Sequence, residues 1–177
     1  MRKIKLTATL VLAAALLAGC NPTYNWRDYR SPDAPYQVMF PAKPATHTRS
    51  VDLNGLKVDM TMTAAEVEGV MFAVGTGVAP DAAQAQAAVD AMRTAMLRNI
   101  GATVQRESAS AVSSGSPDSE RKRIDVDATG TGNGGPMKLN GRFESRGKRF
   151  YQVIVLGKEK DLAPEQSEEF MKSFTLL

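Results

Sequence analysis

Cysteine, histidine and tryptophan each occur once in this chain of 177 residues, and aromatic residues make up only 6% of it. A single cysteine excludes an internal disulfide, so a folded domain here must rest on its apolar core. A single histidine, His47, excludes a multi-histidine zinc site, and a serine triad using it has no supporting pattern in the sequence. Long apolar runs are missing too. Leu6 to Ala18 carry no charge, but the run is shorter than the ~20 residues a spanning helix needs. Nor is there a real excess of charge. The formal +3 is carried by Arg2, Lys3 and Lys5, and without them 19 basic residues face 19 acidic ones. That balance argues against a nucleic-acid partner.

What is present at the start is an ordered set of signals. Arg2, Lys3 and Lys5 form a basic segment, Leu6 to Ala18 an apolar one, and Ala18-Gly19 the small residues that precede a processing site. The tetrapeptide Leu17-Ala18-Gly19-Cys20 resembles the lipobox of bacterial lipoproteins. The resemblance implies a signal peptide over 1–19, diacylation of the Cys20 thiol, and a lipidated tether over 20–25 ahead of a single domain over 26–177. Each buried methylene of an acyl chain adds about 0.8 kcal/mol, so several chains hold a protein almost permanently to a membrane. Asn21 stands where an Asp would signal inner-membrane retention, which implies the periplasmic face of the outer membrane. A tether of about 4–8 residues reaches roughly 13–29 Å.

The mature part reads as one α+β domain: an antiparallel sheet covered by one long and one short helix. Strands are expected at Trp26–Arg30 and Tyr36–Phe40, around the Ser31–Pro35 turn. Asn54-Gly55 between alternating segments predicts a hairpin with a two-residue type I′ turn. Its register pairs Leu53 with Leu56, Val51 with Val58, Asp52 with Lys57 and Thr48 with Thr61, keeping apolar pairs on one side. Val70–Val78 reads as an inner strand. Asp81 and Gln84 open a helix to about Asn99, on which Ala85, Val89, Met92, Met96 and Ile100 form an apolar stripe that Gly101 ends.

Arg123–Thr129 alternates, with Asp125 and Asp127 on the solvated side. A flexible glycine-rich loop over Gly130–Pro136 leads to Met137–Ser145. A turn near Arg146-Gly147 then predicts Phe143 opposite Phe150, Leu139 opposite Ile154 and Glu144 opposite Arg149. Tyr151, Val153 and Val155 make the returning strand apolar on both faces, hence central. Pro164 opens the short helix, which buries Phe170 and Phe174.

Three segments, Tyr36-Gln37-Val38-Met39-Phe40-Pro41, Arg149-Phe150-Tyr151-Gln152-Val153 and Phe170-Met171-Lys172-Ser173-Phe174, frame this order of elements. Together they resemble the PsbP-like superfamily, which includes photosystem accessory proteins and Mog-type Ran-binding factors. The resemblance spans most of Trp26–Leu177 and implies a PsbP-like sandwich that works as an accessory or binding module. It carries over no catalytic or ligand residue.

Local motifs point to little chemistry. Gly130-Thr131-Gly132-Asn133-Gly134-Gly135 has the letters of a dinucleotide fingerprint, but Pro136 and a strand follow where a helix is required. Asp125, Asp127 and Gly130 open like a calcium loop, but Pro136 occupies the position of its bidentate glutamate. The hairpin register puts His47 opposite Met62 and Arg49 opposite Met60. His47, Met60 and Met62 are therefore the candidate ligands for a soft ion such as Cu(I), although methionine is more often core filler. The run Glu120-Arg121-Lys122-Arg123 reads as an exposed sheet edge rather than a lipid contact. Tyr24 and Trp26 read as packing for the first strand rather than a membrane contact.

No nucleophile–base pair, cofactor site or established metal site can be named, so the expectation is not an enzyme. It is instead an outer-membrane lipoprotein, bound to the membrane through Cys20, that serves as a non-catalytic accessory module for an envelope protein. The alternative is a carrier of a small ligand or copper.

Overall fold

Asn54 and Gly55 both take positive φ, 59° and 92°, as a type I′ turn requires. In the computed structural model, which describes residues 23–112, 120–132 and 134–177, this turn joins β3 (Ala45–Leu53) to β4 (Leu56–Val67). The pairs Leu53–Leu56, Val51–Val58, Asp52–Lys57 and Thr48–Thr61 all form, as do His47–Met62 and Arg49–Met60. The signal peptide, the Leu17–Cys20 tetrapeptide, the tether through Pro22, residues 113–119 and Asn133 lie outside the described residues.

The other elements are β1 (Arg27–Arg30), β2 (Tyr36–Phe40), β5 (Val70–Val78), α1 (Ala82–Asn99), β6 (Thr103–Val112), β7 (Arg121–Gly132), β8 (Gly135–Arg146), β9 (Arg149–Lys158), α2 (Pro164–Ser173) and β10 (Thr175–Leu176). They make an α+β fold dominated by antiparallel sheet. Seven strands lie in the order β3-β4-β5-β9-β8-β7-β6, and a separate three-stranded sheet has the order β1-β2-β10. β9 sits at the centre of the larger sheet, which is why it is apolar on both faces.

Each face of the larger sheet has its own core. On one, Ala85, Val89 and Met92 of α1 pack on Val126, Leu139, Phe143, Phe150 and Ile154. The helix is bounded as its sequence signals dictate. Asp81 accepts a hydrogen bond from the Gln84 backbone N–H at 2.7 Å. At the other end Ala102 N–H reaches the Leu97 carbonyl and Gly101 N–H the Arg98 carbonyl, with Gly101 at φ 54°, a Schellman closure. On the opposite face the small sheet and α2 share the cover. Phe170 lies 5.4 Å from Phe40 and 5.5 Å from Phe72, and Phe174 lies 5.7 Å from Tyr36.

Three expectations are corrected. The cover is not two helices alone, because Tyr36, Val38 and Phe40 alternate into the second core and bring β1 and β10 with them as a third layer. The turn after β8 is Gly147-Lys148, one residue later than expected. Phe143 therefore faces Gln152, Leu139 faces Leu156 and Glu144 faces Tyr151. The pairing moves by two residues, so every side chain keeps its face. Gly130–Pro136 is not a loop: β7 runs through Gly132, and β8 resumes at Gly135. The cause is packing. A Cβ on Gly130 would collide with the Ile100 carbonyl oxygen, which also accepts from Thr131 N–H at 2.8 Å. The glycine lets β7 pass against the end of α1.

Candidate functional site

α2 and the small sheet cover only part of their face, and the outer strands β6, β7 and β8 are left beside α2 as the floor of an open groove of about 910 Å³. Strand alternation sends Asp125 and Asp127 of β7, Asn140 and Arg142 of β8, and Arg106 and Ser108 of β6 to this floor. Register then sets the contacts. Arg142 Nε donates to Asp125 Oδ1 at 2.8 Å, and Arg123 Nε donates to Asp125 Oδ2 at 2.6 Å. Asn140 Nδ2 donates to Asp127 Oδ1 at 2.6 Å, and Arg106 pairs with the other oxygen of Asp127. Ser167 Oγ of α2 donates to Asn140 Oδ1 at 2.9 Å, and Arg142 Nη1 reaches the Met171 carbonyl at 3.4 Å, which pins the helix to the floor.

Burial alone would push the Asp125 carboxyl up, but the hydrogen bonds and charges of Arg123 and Arg142 outweigh it and hold the group below its usual range. It is a fixed acceptor rather than a base. Glu144, one step further along β8, behaves oppositely. Burial pushes its carboxyl up, against the pull of Arg142 and Arg123. It lines a smaller groove of about 370 Å³ with Arg121, Arg123, Phe174 and Leu176.

Asp125 and Asp127, expected on a solvated strand face, are instead half-buried members of this network. The run Glu120–Arg123 is not a sheet edge, because β6 lies outside β7. It divides by alternation. Glu120 accepts from Gln86 and Lys122 pairs with Asp90, both on α1, while Arg121 and Arg123 turn to the other face. Tyr24 and Trp26 stack on each other and meet Phe72 edge-on, at 6.3 and 6.2 Å.

His47 is exposed on the edge strand β3. Met60 and Met62 point to the α1 side, where a Cβ on Gly75 would strike both thioether ends. They line a third groove, of about 540 Å³, with Met71, Met92 and Met96. His47 does not line it. Asn140, Arg142, Arg106 and Ser167 are site residues that the sequence alone does not single out. The signal it does hold is the match between the carboxylates of Asp125-x-Asp127 and the amide and guanidinium donors of Asn140-x-Arg142, which becomes visible only when β7 and β8 are paired in register.

No family model matches the chain, and no curated protein matches it. Among solved structures it is similar to the crystal structure of a protein of unknown function, PA94 from Pseudomonas aeruginosa. The TM-score is 0.34 with 12% identity, over 78% of this chain and 86% of that one.

Proposed function

We propose that this chain is a lipid-anchored, non-catalytic binding module of the bacterial envelope. Cys20 carries the acyl chains on the periplasmic face of the outer membrane, and the groove beside α2 takes an envelope protein. The observation that carries the reading is the groove floor itself. Its carboxylates at 125 and 127 are each neutralised by guanidinium or amide donors, which leaves a surface suited to hydrogen bonding rather than proton transfer. The anchor is supported by the Leu17–Cys20 pattern. Because Tyr24 already packs on Phe72, only Asn21, Pro22 and Thr23 separate Cys20 from the domain, a reach of about 14 Å. A seven-stranded antiparallel sheet with a layer on each face agrees with a PsbP-like sandwich.

The test is a photo-crosslinking residue at Ser108 or Thr129, both on the groove floor, together with intact-mass analysis of the mature chain. Crosslinks to one envelope protein and an acylated mass starting at Cys20 are expected. A chain that still begins at Met1 rejects the anchor, and crosslinks only to bulk proteins reject the groove.

The second reading, a soft-metal carrier, is favoured by the meeting of Met60 and Met62 over Gly75 within a five-methionine groove. Cu(I) dialysis of the parent and Met62→Leu tests it, with equal uptake counting against it.

A further inference from the structure

Three arginines stand in one cross-strand row: Arg121 of β7 faces Arg146 of β8, which faces Arg149 of β9. Alternation puts Arg123 and Arg142 on the same face, one and two rows further in. Two carboxylates share the patch. Asp125 is held by Arg123 and Arg142, and Glu144 makes no ion pair among the described residues. Arg149 Nη1 reaches a neutral acceptor, Thr76 Oγ1 at 3.5 Å, and Arg146 Nη1 donates to the main-chain oxygen of Leu177, the last residue of the sequence, at 3.3 Å. Like charges directly opposite one another in a sheet are destabilising, so three in succession work against the fold. Such conflicts between a local rule and the global structure gather at functional surfaces. The patch is also not a by-product of a basic chain, since 19 basic residues face 19 acidic ones once the three near the start are set aside.

The row lies at the end of the sheet remote from the tether. Arg149 pairs with Val78, six residues along β5 from Phe72, where Tyr24 packs, a separation of about 20 Å at the rise of a strand. On the anchored reading, a tether of about 14 Å at the other end leaves the arginines at the end of the sheet away from the point of attachment. Beside them, Phe174 and Leu176 line the 370 Å³ groove and add apolar contact to the charge.

We propose that Arg121, Arg146 and Arg149, with Arg123 and Arg142, form a docking face for an acidic segment of an envelope protein. Guanidinium forks pair with carboxylates two hydrogen bonds at a time, which gives both attraction and register. The choice of a protein over lipid headgroups rests on the anchored reading above. The charge complementarity does not.

The experiment measures fluorescence anisotropy of a labelled octaglutamate peptide against the full chain in neutral detergent at low salt. It compares the parent with the triple variant Arg121→Gln, Arg146→Gln, Arg149→Gln, and with a charge-matched control, Lys43→Gln, Lys57→Gln, Lys158→Gln. Saturable binding is expected, weakened about tenfold or more in the arginine variant and within about twofold of the parent in the control. The arginine variant should also unfold at higher urea, because the like-charge row is relieved. Several results overturn the proposal: no saturable binding, equal loss in both variants, a lower urea midpoint in the arginine variant, or displacement of the peptide by inorganic phosphate or phosphatidylglycerol vesicles. An unmodified Cys20 by mass analysis would reject the anchor while leaving the peptide result standing, so the two failures are distinguishable.

Discussion

Asp125 and Arg142 stand directly opposite one another on β7 and β8, with the guanidinium Nε donating to Oδ1 at 2.8 Å. The Arg142 side chain is only 15% exposed, against 32% for Asp125, so the cation loses more water than the anion and depends on the pair. Asp125→Asn is expected to cost about 1–3 kcal/mol, since it leaves two guanidiniums facing a neutral amide. Urea unfolding checks it. Adding Arg142→Gln to Asp125→Asn should cost less than the sum of the two single changes.

The two carboxyls of the patch set opposite pH dependences. The folded-state value of Asp125 lies below 3.8, because its arginine partners outweigh burial, so its contribution is present above pH 3.8 and lost as pH falls through the lower value. Burial raises Glu144 above 4.5 against the pull of Arg142 and Arg123, so its contribution is present below pH 4.5 and lost as pH rises through the higher value. Glu144→Gln is therefore expected to raise the urea midpoint at neutral pH and leave it nearly unchanged in acid. Asp125→Asn should flatten the acid limb. Midpoints measured across the acid-to-neutral range decide both.

Gly130→Ala places a methyl group against the Ile100 carbonyl oxygen, a backbone atom that cannot rotate away. Either β7 or the end of α1 must shift, at a cost of about 2–3 kcal/mol or more. Gly132→Ala meets only the flexible Met137 side chain and should cost clearly less. Thermal denaturation of the two variants side by side gives the comparison.

Asp81→Ala removes the cap that accepts from both the backbone N–H and, at 2.9 Å, the side-chain Nε2 of Gln84. The expected loss is about 1 kcal/mol. Asp81→Asn should keep most of it. Hydrogen exchange at the first turn of α1 should rise in the alanine variant and not in the asparagine one.

Features governed by near neighbours in the chain are legible in the amino-acid order. Asn54-Gly55 specifies a nine-pair hairpin because only φ-tolerant residues make that turn. Asp81, Gln84 and Gly101 mark both ends of α1 because helix ends need local donors and acceptors satisfied. The central place of β9 shows in its apolar run over Phe150–Leu156, interrupted only by Gln152. The turn at Gly147-Lys148 differs by one residue from the expected position, because either placement keeps the same side chains on the same face. Gly130–Pro136 has the composition of a loop, and nothing nearby in the chain reveals that Ile100, thirty residues earlier, lies against Gly130.

From the order of residues alone come most of the elements, the faces they bury, the hairpin pairing and the expectation of a lipid anchor at Cys20. All of these follow from periodicity, turn chemistry or a short contiguous pattern. The third layer, the groove beside α2, the neutralisation of Asp125 and Asp127 and the alignment of Arg121, Arg146 and Arg149 are settled only by folding. They depend on which strands become neighbours. A charged side chain acquires its meaning from groups far along the chain that the register happens to set opposite it.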